Sequence, residues 1–326
     1  MGKSMITEQS QVNEQVIKRF ALLKSNNRLG HAYLFIGPMN IGKSETALGV
    51  AKFLNCENPR HNIFCAECPS CLKISHGNHP DIHTIDSKET ETIKIEQIRG
   101  LIEQIQLRPF EGKIKVFIIK NVETLTLEGA NALLKTLEEP SQNSLLLLTT
   151  AVVEKNLDTI RSRCHAVTFF PSSNARLADE LRKDYAIAES ASHFLAYFSE
   201  GCRGRARHLA DKNFFACKNQ AIDLLIFSRN SEDYLKKIFT DKEKIREVLN
   251  ILLMWFRDLL LLKTGGDESR LINLDRLKDL RKYESQYTFA QINEIIAQIV
   301  KATGLLEENL NVKIALSLIK ERLWRR

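Results

Sequence analysis

Two groups of residues have the types and spacing to do chemistry. The first is Gly37-Pro38-Met39-Asn40-Ile41-Gly42-Lys43-Ser44, which fills the phosphate-loop pattern Gly-x-x-x-x-Gly-Lys-Ser/Thr. Glycines let such a loop curl until its backbone N–H groups face inward, and the helix that follows adds positive potential. Lys43 would reach the outer phosphates and the Ser44 hydroxyl would help hold Mg²⁺, so Gly37, Asn40, Gly42, Lys43 and Ser44 are candidate contacts for ATP or ADP with Mg²⁺. The second group is four cysteines, Cys56, Cys65, Cys68 and Cys71, the last three forming Cys-x-x-Cys-x-x-Cys. Four thiolates close a tetrahedral shell around Zn²⁺ and leave no position for water, which makes the expected metal structural rather than catalytic. His61 and His76 flank the cluster but are not needed with four thiols at hand. The chain has seven cysteines, an odd number, which argues against a disulfide framework. Cys164, Cys202 and Cys217 stand alone and are expected to be ordinary packed thiols.

Holding a triphosphate is not the same as splitting it. Hydrolysis needs an acid at the end of a neighbouring strand to hold Mg²⁺, and a group that orients the attacking water. The apolar run Val116-Phe117-Ile118-Ile119 is that strand, and Lys120-Asn121-Val122-Glu123 follows it. A lysine there repels the metal, and an asparagine is no general base. Glu123 lies in the turn beyond and is not assigned a role. The chain therefore reads as one that holds nucleotide but turns it over poorly.

The elements that must position these residues alternate. Tyr33-Leu34-Phe35-Ile36 is a buried strand ending in Gly-Pro, and apolar residues from 44 to 54 recur at helical spacing. A strand over 82–86, a helix through Ile95, Ile98, Leu101, Ile102 and Ile105, the strand 116–119, a helix through Ala130, Leu133, Leu134 and Leu137, and strands at 145–149 and 167–170 complete the series. Strands alternating with helices imply a parallel sheet covered on both faces. After Pro171-Ser172-Ser173-Asn174 the strand pattern stops and helical periodicity continues to the end. The expected division is residues 1–170, 171–212 and 213–326. Composition is that of a globular protein, 44% apolar and 27% charged, and the net charge of +7 is too thin to identify a nucleic-acid partner. No apolar run approaches the ~18–20 residues of a membrane span, and the N-terminus has no secretory pattern, so the expected location is the cytoplasm.

At this point the residues resemble a known family, the AAA+ subunits of the bacterial DNA polymerase III clamp loader. The likeness rests on His31-Ala32-Tyr33-Leu34-Phe35 before the phosphate loop, the cysteine module followed by His79-Pro80-Asp81, the segment Asn131-Ala132-Leu133-Leu134-Lys135-Thr136-Leu137-Glu138-Glu139-Pro140, and Ser162-Arg163-Cys164. It implies an α/β AAA+ P-loop core with a zinc module, then a small helical lid and an all-α collar that mediates assembly. It implies that Arg163 is an arginine finger reaching the ATP of an adjacent subunit, and that Thr149-Thr150 is where the first sensor sits, with Thr150 near the nucleotide. The implied partners are gamma/tau and delta subunits in a hetero-pentamer and, through it, the sliding clamp and primed DNA.

The family contains a hydrolysing motor, gamma/tau, and a rigid type that does little hydrolysis. The motor carries Asp-Glu where this chain has Lys120-Asn121, which favours the second type. The motor's second-sensor arginine aligns without gaps on Gly204, with Arg203 and Arg205 beside it. The alternatives are a gamma/tau-type ATPase, a small-molecule P-loop kinase, which would need neither the cysteine module nor a trans arginine, and a zinc-ribbon DNA reader, which would need a denser basic and aromatic pattern. In the helical part, Leu249, Leu252, Leu253, Phe256 and Leu260 form an apolar stripe, more often a domain core than an interface. Lys236-Lys237 and Arg325-Arg326 read as a solvated face.

Overall fold

The computed structural model describes residues 13–87, 92–141, 143–151, 158–228, 234 and 241–307. Lys236, Lys237, Arg325 and Arg326 lie outside them. The chain divides into two compact units, Met1–Pro171 with Cys202–Gly204, and Ser172–Gly201 with Arg205–Arg326.

In the first unit α1 (Glu14–Ser25) precedes β1 (Ala32–Ile36), α2 (Lys43–Asn55), α3 (Pro69–Ser75), β2 (Ile82–Ile85), α4 (Ile95–Gln106), β3 (Lys115–Ile119), α5 (Leu127–Glu138), β4 (Ser144–Thr150), α6 (Asp158–Arg161) and β5 (His165–Thr168). The strands form one sheet in the order β2-β3-β4-β1-β5, with every pair parallel. The apolar runs explain it. In a strand successive side chains face opposite ways, so Val116, Ile118, Leu145 and Leu147 join a core with α1 and α2. Phe117, Ile119, Leu146 and Leu148 join another with Ile98, Leu101, Leu133 and Leu137. Each such fully buried side chain contributes about 1.5–3 kcal/mol, enough to fix the register. The expected α/β core with a doubly covered parallel sheet is what the structure has.

Some details differ from the sequence reading, which had no helix at Pro69–Ser75 or Asp158–Arg161. The last strand is His165–Thr168 rather than 167–170: Phe169 still bonds its amide to the Ile36 carbonyl, but Phe170 is 80% exposed where the chain leaves the sheet. Helix α1, not anticipated, is capped by the Asn13 side chain and buries Val16, Ile17, Phe20 and Ala21.

The loop into β3 is fixed by two buried side chains. The Asp81 carboxylate accepts from the amides of Phe110, Glu111 and Gly112 at 2.7–2.9 Å. Burial alone would raise its pKa, but these amides prevail and hold it below the usual carboxylate range. Asn55, the last residue of α2, accepts from the amides of Lys113 and Ile114. Strand β3 thus starts from a rigid base, and its far end is correspondingly well placed.

The second half is helical: α7 (Asn174–Tyr185), α8 (Glu189–Phe198), α9 (Arg203–Asp211), α10 (Phe214–Ile222), α11 (Lys242–Lys263), α12 (Leu277–Glu284) and α13 (Phe289–Glu307). The second unit has one continuous apolar core running from Leu177 to Leu306. Leu249, Leu252 and Phe256 are buried in it, whereas Leu253 and Leu260 pack only at its margin. None of the described helices is long and apolar enough to cross a membrane.

Candidate nucleotide and metal sites

Because all five strands run the same way, their C-terminal ends share one edge of the sheet. That edge brings together Gly37 after β1, Asp86 after β2, Lys120 and Asn121 after β3, and Thr149 and Thr150 at the end of β4. Ligands of open parallel sheets sit at this edge. A cleft of about 410 Å³ opens there, lined by Asn40, Gly42, Lys43 and Ser44 from the loop and by Asp86, Lys120 and Asn121 opposite.

Two glycines are required by geometry. Gly42 has φ of +101°, a left-handed conformation that side chains resist, and a Cβ on Gly37 would come within 2.8 Å of the Phe169 carbonyl. The Gly37 amide is fixed by the Thr150 carbonyl at 3.2 Å. Lys43 is only 6% exposed and donates to the carbonyls of Gly37 at 2.6 Å and Pro38 at 2.8 Å. Burial lowers its pKa, and the nearby charges of Glu123 and Glu45 oppose that shift. A phosphate entering the loop would take over the donors now spent on these carbonyls. Gly204 packs against the same loop, where a Cβ would lie 2.6 Å from the Asn40 carbonyl, so a side chain is excluded at that position.

The end of β3 differs from that of a hydrolysing site. The Lys120 amide bonds to the Ile85 carbonyl, and its ammonium donates to Asp86 Oδ2 at 3.2 Å. Asn121 is left-handed, with φ of +52°, and its amide donates to the Thr149 hydroxyl at 3.1 Å. Thr149 and Thr150 are both fully buried. Glu123 turns back toward the site: its Oε1 accepts from the Ala151 amide at 3.0 Å, and its buried Oε2 has no hydrogen-bond partner among the described residues. Asp86 and Glu123 are acids the sequence reading left without a role. The sequence reading ran the strand through 82–86, whereas β2 ends at Ile85 and leaves Asp86 just past it, a half-buried carboxylate at the strand's C-terminal end. Magnesium does not fit this donor set well, because the place of the acid at the end of β3 is taken by an ammonium that also engages Asp86.

The four cysteines do converge. Their sulfurs all lie within 4.8 Å of one another, with Cys56 and Cys65 at 3.5 Å and Cys65 and Cys71 at 4.0 Å. Metal–sulfur bonds of about 2.3 Å in a tetrahedron put sulfurs ~3.8 Å apart, so the set fits a metal ion. Backbone amides of Glu67 and Cys68 point at Cys65 Sγ, and that of Cys65 points at Cys56 Sγ. Burial alone would raise the Cys65 thiol, yet the amides of Glu67 and Cys68 and the neighbouring thiols bring it down to about 7. Burial pushes Cys71 and Cys56 up. Outside the cluster, Cys202 is buried and Cys164 half-buried, as packed thiols should be. Cys217 is exposed, contrary to expectation, because it lies on the outer face of α10.

Arg163 follows the single turn of α6. Its Nε and a terminal nitrogen bond to Glu138 Oε1 at 2.8 and 2.6 Å, and Nη1 donates to the Thr159 carbonyl and Ser162 hydroxyl. Arg163 keeps 35% of its side chain exposed and Glu138 50%. Such an exposed pair is worth about 0–1 kcal/mol, so it orients the guanidinium without binding it tightly.

Comparison with known proteins places the chain among clamp-loader relatives. The family profile described as "DNA polymerase III, delta subunit" matches residues 12–173, and "DNA polymerase III, delta subunit, C terminal" matches 218–321. The DNA polymerase III subunit delta' of Bacillus subtilis strain 168 is 28% identical over 314 residues, covering 94% of each chain. The delta' subunit of Pseudomonas aeruginosa is 38% identical over 135 residues, 41% of each chain. The tau subunit of Escherichia coli K12 is 39% identical over 151 residues, 46% of this chain but only 23% of tau. Matched by two profiles that leave only a helical stretch between them, and aligned with a delta' subunit along nearly its whole length, the chain belongs to the DNA polymerase III delta' family, with gamma and tau as close relatives.

Proposed function

We propose that this chain is the non-hydrolysing AAA+ member of a DNA polymerase III clamp loader, binding ATP or ADP in its P-loop and lending Arg163 to the ATP of a neighbouring gamma/tau subunit. The observation that carries the reading is the end of β3, where the Lys120 ammonium holds Asp86 and Asn121 is locked to Thr149. Neither residue can hold a catalytic metal or draw a proton from water. When ATP is split next door, negative charge spreads over the transferring phosphoryl oxygens, and a planar guanidinium that never loses its charge stabilises it. Arg163 is suited to this because its own pair is weak and half exposed, so an incoming phosphate can displace Glu138.

The assembly would be a hetero-pentamer with gamma/tau and delta that loads the sliding clamp onto primed DNA in the cytoplasm. Within the chain, residues 171–212 would act as the lid and 213–326 as the collar, and Thr150 would lie beside the nucleotide as first sensor. The cysteine set would hold Zn²⁺, which four thiolates suit better than any hard cation.

The test is Arg163→Ala in a complex reconstituted with gamma/tau and delta. Assembly should persist while clamp- and DNA-stimulated ATPase falls, by up to ~10³–10⁵ where a finger acts alone. Unchanged turnover would remove the trans role. Magnesium-dependent phosphate release by the lone chain, lost in Glu123→Gln, would instead favour a gamma/tau-type motor that uses Glu123 as its acid.

A further inference from the structure

We infer that the P-loop cleft binds its nucleotide without a divalent cation, the Lys120 ammonium supplying the positive charge that magnesium supplies elsewhere. The inference rests on the reading of the P-loop as a nucleotide site and adds to it what neutralises the phosphates.

Lys120 is fixed at both ends. Its amide is bonded to the Ile85 carbonyl, so the backbone cannot swing away from β2, and its Nζ is held by Asp86 Oδ2 at 3.2 Å. The two side chains are 21% and 18% exposed, which keeps the ammonium within the rim of the cleft instead of in bulk water. Both line the same cavity as Asn40, Gly42, Lys43 and Ser44. A nucleotide seated on the loop would therefore meet two lysines from opposite walls.

Of the carboxylates near the cleft, the one that faces the end of β3 is engaged by an ammonium, and Glu123 is engaged through one oxygen only, its Oε2 being buried without a hydrogen-bond partner among the described residues. Asp86 carries Lys120, and Glu123 accepts from the Ala151 amide while its charge acts on Lys43. Glu45 is exposed in the first turn of α2. Mg²⁺ requires six oxygens in near-ideal octahedral geometry at about 2.0–2.1 Å, and a fixed ammonium beside the best remaining carboxylate opposes it on charge and on space. An ammonium, by contrast, offers three donors and binds phosphate as a point charge. Asp86 aims Lys120 while the cleft is free of phosphate, and shares it once phosphate arrives.

The experiment is an equilibrium titration of the full chain with a fluorescent ADP analogue, and competition by ATP, in excess Mg²⁺ and again in EDTA. The wild-type Kd should agree in the two conditions within about twofold. Lys120→Gln should weaken binding in EDTA by about tenfold or more, and added Mg²⁺ should restore part of it through the freed Asp86. Lys120→Met, of similar length and without charge, serves as a second variant, and thermal melts report whether both fold. A tenfold or greater loss of wild-type affinity in EDTA would overturn the inference and leave the nucleotide site standing. Unchanged EDTA-state affinity in both variants would overturn the role of Lys120. Absence of wild-type binding in both conditions, or full binding by Lys43→Ala, would overturn the nucleotide reading itself.

Discussion

In the P-loop cleft, Lys43 is almost wholly buried and donates to two carbonyls of its own loop, while Lys120 is tied to Asp86. At the end of α6, Arg163 keeps a third of its side chain in solvent and shares a half-exposed glutamate. Both regions display fixed positive charge near the same sheet, yet they hold it differently. A buried ammonium loses hydration and must be compensated locally, so the cleft is built around charges that wait for a ligand to come to them. An exposed guanidinium loses little hydration, and its ion pair contributes little. It can be surrendered to an anion on another molecule. On the proposed function, the contrast would separate binding from catalysis: the cleft would retain phosphate, and the arginine would act on a neighbouring molecule.

The separation can be broken most directly by exchanging which region is damaged. Lys43→Ala should reduce nucleotide affinity of the lone chain by about a hundredfold or more. The ATPase of the reconstituted complex should remain within about twofold of wild type, the mirror image of Arg163→Ala. If Lys43→Ala lowered turnover as deeply as Arg163→Ala, the two regions would not be independent.

A smaller effect sharpens the other side. Glu138→Gln keeps shape and removes charge, so Arg163 loses the partner that aims it. Complex turnover at saturating ATP should fall about three- to tenfold, a misplacement effect rather than loss of the cation. A rise in turnover would mean that Glu138 restrains the arginine instead of aiming it.

The smallest expected change tests whether the cleft depends on its base. The Asp81 pKa is depressed in the folded chain, so its stabilising contribution is complete above the unfolded-state value of about 3.8 and disappears as pH falls through the folded value. Asp81→Asn should cost about 1–2 kcal/mol at pH 7 by weakening three amide bonds, and urea unfolding should show the difference closing below that pH. A constant difference across the acid range would mean that the charge of Asp81 contributes nothing.

Much of the candidate site was legible because its signals are local. The phosphate loop is fixed by glycine stereochemistry and by the strand and helix that flank it, and the cysteine set by the reach of a two-residue spacing. The core followed from the same kind of signal, since Val116-Phe117-Ile118-Ile119 and Leu145-Leu146-Leu147-Leu148 are too apolar to lie anywhere but between two layers. What could not be read depended on contacts across the fold. Asp86 gains its role only because the sheet sets β2 beside β3, and Glu123 only because a short turn returns it to the end of β4. The Glu138–Arg163 pair spans 25 residues, and no pattern within α5 announces it. Strand β5 was misplaced by two residues because Phe169 and Phe170 are as apolar as a strand should be, although only the first is buried.

Helix α2 runs from the glycine loop at one end to Cys56 at the other, so the candidate metal site and the candidate nucleotide site sit at opposite poles of a single rod. Four thiolates around a dication carry a net charge of about −2, at the pole where a helix is already electronegative. Lys24 donates to the Leu54 carbonyl and Lys113 to the Cys56 carbonyl at this pole, and burial together with Lys113 presses on the Lys24 ammonium. Filled with a metal, the cysteine set would offset both lysines; as neutral thiols it would leave the Lys24 and Lys113 charges opposed to each other at the rod's end. A metal held by these cysteines would thus bear, through plain Coulomb attraction, on how firmly the rod is anchored, some dozen residues away from the glycine loop at its other end.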